Sequence, residues 1–307
     1  MISYAADPKV NPATLLGPVE DTTHLWASMR TGVRDAERGQ GYEPVILFHP
    51  TAGSIVRPEQ TPEAYGHLQF PKEDDRVSID AVQSGHATPD VLGGFTPFKT
   101  WDSTKNYELI AARRDGFTGP VLDLENHYEG AHDNLDANVP MIWNASQVRT
   151  GLSNGVYGGA AGFTYDANSV WQMYEPRADL LRESDYYSPS SGENASSSWR
   201  RDLFFEAGHP SGYTDVAVNA FDSTRYILVL ASESRDRYYV YTGHGDSFSL
   251  KLGNGFECSG SARWFSPRDG EFYSGSTVNV PANTTRVNFT PPSGGSVDDD
   301  WLLVLEF

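Results

Sequence analysis

The chain has 307 residues, enough for one large domain or two, and its 38% hydrophobic and 12% aromatic content is that of a globular protein. A formal net charge of −18 works against nucleic acid and anionic membrane surfaces, since both call for a basic footprint, and no cluster of Lys and Arg offsets it. One cysteine, Cys258, excludes an intrachain disulfide and a thiolate metal cluster, and the longest apolar runs are too short to span a bilayer.

Residues 22–38 read as a helix with Leu25, Trp26, Met29 and Val33 on one face and Asp21 or Thr22 as cap. The run 44–48 is apolar throughout and ends at His49-Pro50, as befits a strand buried on both faces of a parallel sheet. The same unit recurs. Residues 77–82 end at Gln83-Ser84-Gly85-His86, and a helix is predicted over roughly 101–114. Residues 120–124 end at Glu125 and lead to a helix at 140–154, with Pro140 in its first turn. A Gly-rich strand at 158–163 ends at Thr164-Tyr165-Asp166. Four strands in series, mostly separated by helices, imply parallel β with crossover helices.

Polar and aromatic residues gather just past the carboxyl end of each strand. An α/β barrel builds its active site there, and so does a doubly wound sheet. No Gly-rich phosphate loop follows any strand, which argues against a nucleotide-binding sheet. Residues 188–198 are Ser-rich and read as a surface loop, with a short helix near 198–206. After residue 214 come short strands at 226–231, 238–242, 247–252, 262–265, 277–280, 286–290 and 301–307, the texture of a small all-β sandwich. The organisation is therefore α/β over 1–213 and all-β over 214–307.

Asp123-Leu124-Glu125 is the leading chemical constellation. Strand alternation places both carboxylates on one side, towards the interior or mouth of the sheet structure. A carboxylate at the end of a buried strand is costly unless paired or functional. It can also pair with an arginine or cap a helix, but His127, Tyr128 and Glu129 crowd the same loop and favour a site. His86 is suited to orienting a carboxylate or a sugar hydroxyl, or to capping the next loop. Phe163 through Trp171 and Gln172 supply aromatic platforms and an amide; taken alone, each of these, like His49, is more often a core residue than a ligand contact. The histidines 24, 49, 86 and 127 lack metal-site spacing, and there is no Gly-x-Ser-x-Gly elbow. Tyr239 and Tyr241 share a strand face that suits core packing or, alternatively, a sugar or partner surface.

Taken in order, Gln83-Ser84-Gly85-His86, Pro120-Val121-Leu122-Asp123-Leu124-Glu125 with Tyr128-Glu129, Gly162-Phe163-Thr164-Tyr165 and Val170-Trp171-Gln172 resemble the apiosidase-like glycoside hydrolases. The tail, Trp264-Phe265-Ser266-Pro267-Arg268-Asp269-Gly270 and Asp300-Trp301-Leu302-Leu303-Val304-Leu305, resembles the small β domain that follows them. That domain carries a collagen-binding label which is not read as a function. The resemblance spans nearly the whole chain.

The resemblance implies the C-terminal part of a (β/α)8 TIM barrel, about strands 4 to 8. Glu125 is then the nucleophile at the end of strand seven. The family's acid/base is an Asp after a Gly-Gly pair at the end of strand four; here Ala5-Ala6-Asp7 holds that place, so Asp7 is the expected acid/base. His49, Gln83, His86, Tyr128, Tyr165, Trp171 and Gln172 are the expected substrate-binding residues. The implied activity is retaining hydrolysis of a glycosidic bond in a plant or microbial cell-wall glycan, with no cofactor and no metal. A second reading is a truncated, non-catalytic carbohydrate-binding or structural protein. The missing strands 1 to 3 leave open barrel edges that call for a covering partner. Extracellular location is expected from the family and from sequons at Asn144, Asn194, Asn283 and Asn288, although no signal peptide opens the chain.

Overall fold

The computed structural model of the chain describes residues 23–49, 77–88, 102–114, 117–171, 217–218, 223–232, 234–252, 257–282, 284, 286–296 and 298–307. The expected loop at 188–198, the short helix at 198–206, Asp7 and Gln172 lie outside the described residues.

Helix α1 (Thr23–Gly39) matches the sequence pattern in extent. Its apolar stripe does not face inward, however: Leu25, Met29 and Val33 are exposed. Trp26 and Ala27 do the packing instead, against Phe48 and Val77, with the Trp26 ring edge-on to Phe48 at 6.2 Å. The helix rests on the sheet by the side that carries Trp26, Ala27 and buried Arg30, which turns the Leu25 stripe away.

Three parallel strands follow in spatial order: β1 (Asp80–Val82), β2 (Val121–Asp123) and β3 (Gly162–Phe163). Asp80 pairs with Val121, Val82 with Asp123, and Asp123 with Phe163. The run 44–48 forms one parallel bridge, Leu47 to Ile79, rather than the full strand expected. Between β1 and β2 lies α2 (Asn106–Arg114), entered through a 3-10 turn at Ser103–Lys105 whose cap, Asp102, accepts from the Thr104 N–H at 3.0 Å.

Between β2 and β3 lies α3 (Ala145–Tyr157), which begins five residues later than expected. Asn144 caps it and Gln147 returns the bond, each at 3.0 Å, so this capping box sets the start. Pro140 stands before the helix, in a segment where Ile142 bridges His132. Helices α2 and α3 pack against each other and on the sheet. A one-turn α4 (Asn168–Trp171) follows β3.

Among the described residues the C-terminal part is β, apart from a 3-10 turn at Ser223–Arg225. Strands β4 (Ala217–Val218), β5 (Leu228–Ala231), β6 (Arg237–Thr242), β7 (Phe248–Leu250), β8 (Cys258–Ser266), β9 (Glu271–Val280), β10 (Val287–Phe289) and β11 (Trp301–Glu306) make two antiparallel sheets. One runs β5-β6-β11-β8-β9 and the other β10-β7-β4. Residues 262–265 and 277–280 prove to be parts of one long hairpin, β8–β9. Alternation along the central strands explains the packing. Tyr238 and Val240 of β6 and Leu303 and Leu305 of β11 face the smaller sheet, where Phe248, Leu250 and Phe289 meet them.

The opposite face of the larger sheet is buried too. Tyr239, Tyr241, Leu302 and Val304 pack with Tyr107 of α2 and Tyr157 of α3 in one apolar cluster. Tyr157 stacks on Tyr241 at 5.5 Å and Tyr107 on Tyr226 at 4.5 Å. Tyr239 and Tyr241 are thus core residues joining the two parts, not a free sugar or partner surface. Arg149 of α3 adds a buried bidentate ion pair to Asp300, at 2.8 and 2.9 Å, and Tyr241 Oη donates to the same carboxylate at 3.3 Å. Burial opposes the Arg149 charge, but the Asp300 carboxylate outweighs it and raises the guanidinium pKa further.

Candidate active site

Strand β2 ends at Asp123, so alternation does not continue to Glu125. The chain bends, and the two carboxylates part company. Asp123 is 1% exposed and turns towards the helices, where it meets Asn106 of α2 and approaches Gly155 of α3. Glu125 stays at the carboxyl end of the sheet with its side chain 18% exposed.

Among the described residues, three side chains hold the Glu125 carboxylate. Tyr128 Oη donates to Oε1 at 2.6 Å. His86 Nε2 lies 3.0 Å from the same oxygen, and since an ionised carboxylate only accepts, Nε2 carries the proton. His49 Nε2 sits 3.5 Å from Oε2. The His86 and Tyr128 rings are in contact, 4.2 Å between centroids, so each limits the other's rotation.

These partners determine the charge state. Burial alone raises the Glu125 pKa, but the bonds from His86 and Tyr128, with the His86 and His49 charges, more than reverse it and hold the carboxyl below its ordinary range. Tyr128 is shifted far upward by burial and by Glu125, so it stays a phenol and a donor. Asp166, at the end of the third strand, is displaced the other way: burial and the Glu125 charge raise its pKa against the Ala167 N–H that bonds it at 2.8 Å. The two carboxyls are therefore shifted in opposite directions, Glu125 down and Asp166 up.

The loops that carry these groups are tied together. Gly85 N–H donates to Glu125 O at 3.0 Å, and Glu129 N–H to Asp166 O at 3.2 Å. Glu129 also bridges Ala167 in parallel, and Tyr165 Oη donates to Glu129 Oε2 at 3.0 Å. His127 belongs to the support rather than the site. It stacks on Trp143 at 3.7 Å, bonds Gly85 O through Nδ1 at 3.0 Å, and burial lowers its pKa to about 3, so it is neutral.

Of the expected site residues, His49, His86 and Tyr128 lie against Glu125. Gln83 follows β1 half-buried, and Tyr165 reaches Glu129 rather than Glu125. Trp171 ends α4, and its side chain is outside the description, as are Asp7 and Gln172 altogether. Sequence reasoning did not single out Asp166 or the buried Ser84, Asn106 and Asn126; the position of Asp166 just past a strand end was the available signal. Among the described residues no group of three or more His, Cys, Asp or Glu is arranged to hold a metal ion.

Comparison with known proteins follows the same two-part division. A family model described as "Apiosidase-like, catalytic domain" matches residues 3–224. A second, "Putative collagen-binding domain of a collagenase", matches residues 216–306. The fold is similar to that of a solved glycoside hydrolase family 5 protein from Bacteroides vulgatus, at 18% identity and a TM-score of 0.71, over 94% of this chain and 60% of that one. It is also similar to a solved protein described as a glycoside hydrolase, at 17% identity and a TM-score of 0.60, over 89% of this chain and 67% of that one. The chain thus spans about 60% of the length of the Bacteroides protein. No curated protein matches the chain.

Proposed function

The chain belongs to the apiosidase-like family, and from that premise we propose that it is a retaining glycoside hydrolase with Glu125 as nucleophile. The observation that carries the reading is the Glu125 carboxylate, kept ionised by His86 and Tyr128 at the carboxyl end of a parallel sheet. A nucleophile must be charged when the substrate arrives, and these partners favour that state.

In the reaction, Asp7 protonates the leaving oxygen while Glu125 attacks the anomeric carbon, giving a glycosyl-enzyme. Water, deprotonated by Asp7, then displaces Glu125 with overall retention. This requires the two carboxyls to lie about 5–5.5 Å apart. His49, Gln83, Tyr165, Trp171 and Gln172 bind the sugar, and Asp166 joins them as a hydroxyl acceptor. The substrate class is a plant or microbial cell-wall glycan, and secretion to where such glycans occur fits the sequons.

The parallel part is read as the C-terminal portion of a (β/α)8 barrel. Support comes from the single-bridge edge at Leu47 and from the exposed Leu25, Met29 and Val33, which are apolar surfaces of the kind that further barrel elements or a covering partner would bury. The test is hydrolysis of a panel of cell-wall glycans and aryl glycosides by the wild type, E125Q and D7N. Both variants lose hydrolysis if the reading holds. A glycan cleaved equally well by E125Q rejects it, and sugar binding without turnover in the wild type favours a carbohydrate-binding protein instead.

A further inference from the structure

Behind Glu125 sits a second carboxylate that the reaction does not use. Asp123 is buried, and its partners among the described residues are one hydroxyl, two side-chain amides and a backbone N–H, with no cation. Ser84 Oγ–H donates to Oδ2 at 2.9 Å, Asn106 Nδ2 at 3.0 Å and Asn126 Nδ2 at 3.1 Å, while Ser84 N–H approaches Oδ1 at 3.4 Å. Desolvating a carboxylate without an opposite charge is expensive, and an apolar side chain would join sheet to helix at less cost. Cohesion alone therefore does not account for it.

What Asp123 does is collect both loops of the site at one atom. Ser84 belongs to the loop that carries His86, and Asn126 is next to Glu125. Asn126 Nδ2 also donates to Ser84 Oγ at 2.7 Å, which closes a triangle between the loops. Ser84 Oγ lies 3.5 Å from Glu125 O, and the adjoining Gly85 N–H bonds that carbonyl at 3.0 Å. Asn106 extends the network to α3 by donating to Gly151 O at 2.8 Å. His86 and Tyr128 meet at Glu125 Oε1 only while these two loops keep their spacing.

We infer that Asp123 is a positioning residue for Glu125, acting through Ser84 and Asn126 to fix the loop of His86 against the loop of Glu125 and Tyr128. The inference rests on the reading of Glu125 as nucleophile for its catalytic consequence, but not for its geometry. A supporting shell of this kind is what keeps a reacting group within a fraction of an ångström of its working place.

The experiment compares the wild type with D123N, S84A and the double variant D123N/S84A. Two quantities are read: kcat and KM on the glycan that the wild type cleaves, and the imidazole N–H signal of His86 by NMR, identified by its absence in H86F. In D123N, kcat should fall about tenfold to a hundredfold, because misplacement of about an ångström has that effect. KM should stay within about twofold, and the His86 signal should move or vanish. S84A should change both readings in the same direction by less, and the double variant should be no worse than D123N, because one network is being cut twice.

Unchanged kcat and an unchanged His86 signal in folded D123N would overturn the inference. A fall in kcat with His86 unmoved in both D123N and S84A would also overturn it, by assigning the loss to general destabilisation. If D123N does not fold, the His86 signal in S84A decides. If the wild type cleaves no glycan, the nucleophile reading fails while the His86 signal still tests the positioning.

Discussion

Replacing Asp300 with Ala should show that the β domain is fixed to the α/β part by more than a linker. Asp300 is 0% exposed and its partner Arg149 only 3%, with two charge-assisted bonds of 2.8 and 2.9 Å between them. Removing the carboxylate leaves a buried guanidinium, with Ser146 Oγ at 3.4 Å on the arginine and the Tyr241 hydroxyl, which had donated to Asp300 at 3.3 Å, now lacking that acceptor. Loss of one partner of such a pair costs about 3–5 kcal/mol, whereas replacing both by apolar groups of similar size is often neutral. D300A should therefore lose that amount in equilibrium urea unfolding followed by tryptophan fluorescence and far-UV dichroism. The double variant R149M/D300L should recover most of it. The Tyr157–Tyr241 stack and the shared apolar cluster predict that the two parts unfold together in the wild type. A loss below about 1 kcal/mol in D300A, or a double variant as unstable as the single, would refute the argument that this pair is dry and coupled.

The remaining predictions concern the site. Glu125 has a folded pKa below its ordinary value, so its ionised form, and the stability it confers above the unfolded pKa, should be lost only as pH falls through that lowered value. Y128F removes a 2.6 Å bond to the carboxylate, of a type worth about 1.5–3 kcal/mol, and should move the acid limb of kcat/KM to higher pH. H86F should shift the limb in the same direction, since it removes a bond to the carboxylate. D166N should shift it the opposite way, because the Asp166 carboxylate and Glu125 repel each other; an upward shift in D166N would count against their proximity. G151A tests the packing behind the site. A Cβ at Gly151 would meet Asn126 Oδ1 at 2.2 Å, so overpacking of about 1–3 kcal/mol should exceed the roughly 1 kcal/mol gained in helix propensity, and urea unfolding should show net destabilisation.

Much of this architecture was legible because two periodicities dominate the chain. Apolar runs of four to six residues followed by polar clusters marked the parallel strands and put Glu125 at a strand end. Short alternating runs after residue 214 marked the antiparallel sheets. The boundaries that failed did so for local reasons. Asn144 and Gln147 made a stronger helix start than Pro140, and only one bridge formed where 44–48 promised a strand. Leu25, Met29 and Val33 followed helical spacing faithfully, but spacing says which residues share a face and not which face is covered.

The site was legible as a neighbourhood rather than as contacts. His49 follows the bridged segment at Leu47, and His86, Glu125 and Tyr128 follow β1 and β2, so parallel pairing brings these ends together. The division of labour between Asp123 and Glu125 was not readable, because it depends on where β2 stops. Had the strand run two residues further, alternation would have put both carboxylates on one side. Asp166 gained its importance from the second tie between the loops, Glu129 to Ala167, which no sequence signal announced.

The most direct test of the central claim is to treat the wild type and E125Q with 2-fluoro glycosides carrying a good leaving group, then locate any adduct by peptide mass spectrometry. The account predicts a stable glycosyl adduct on the peptide containing Glu125, absent from E125Q, together with loss of hydrolysis in that variant. An adduct on a peptide without Glu125, or hydrolysis by E125Q at the wild-type rate, would contradict it.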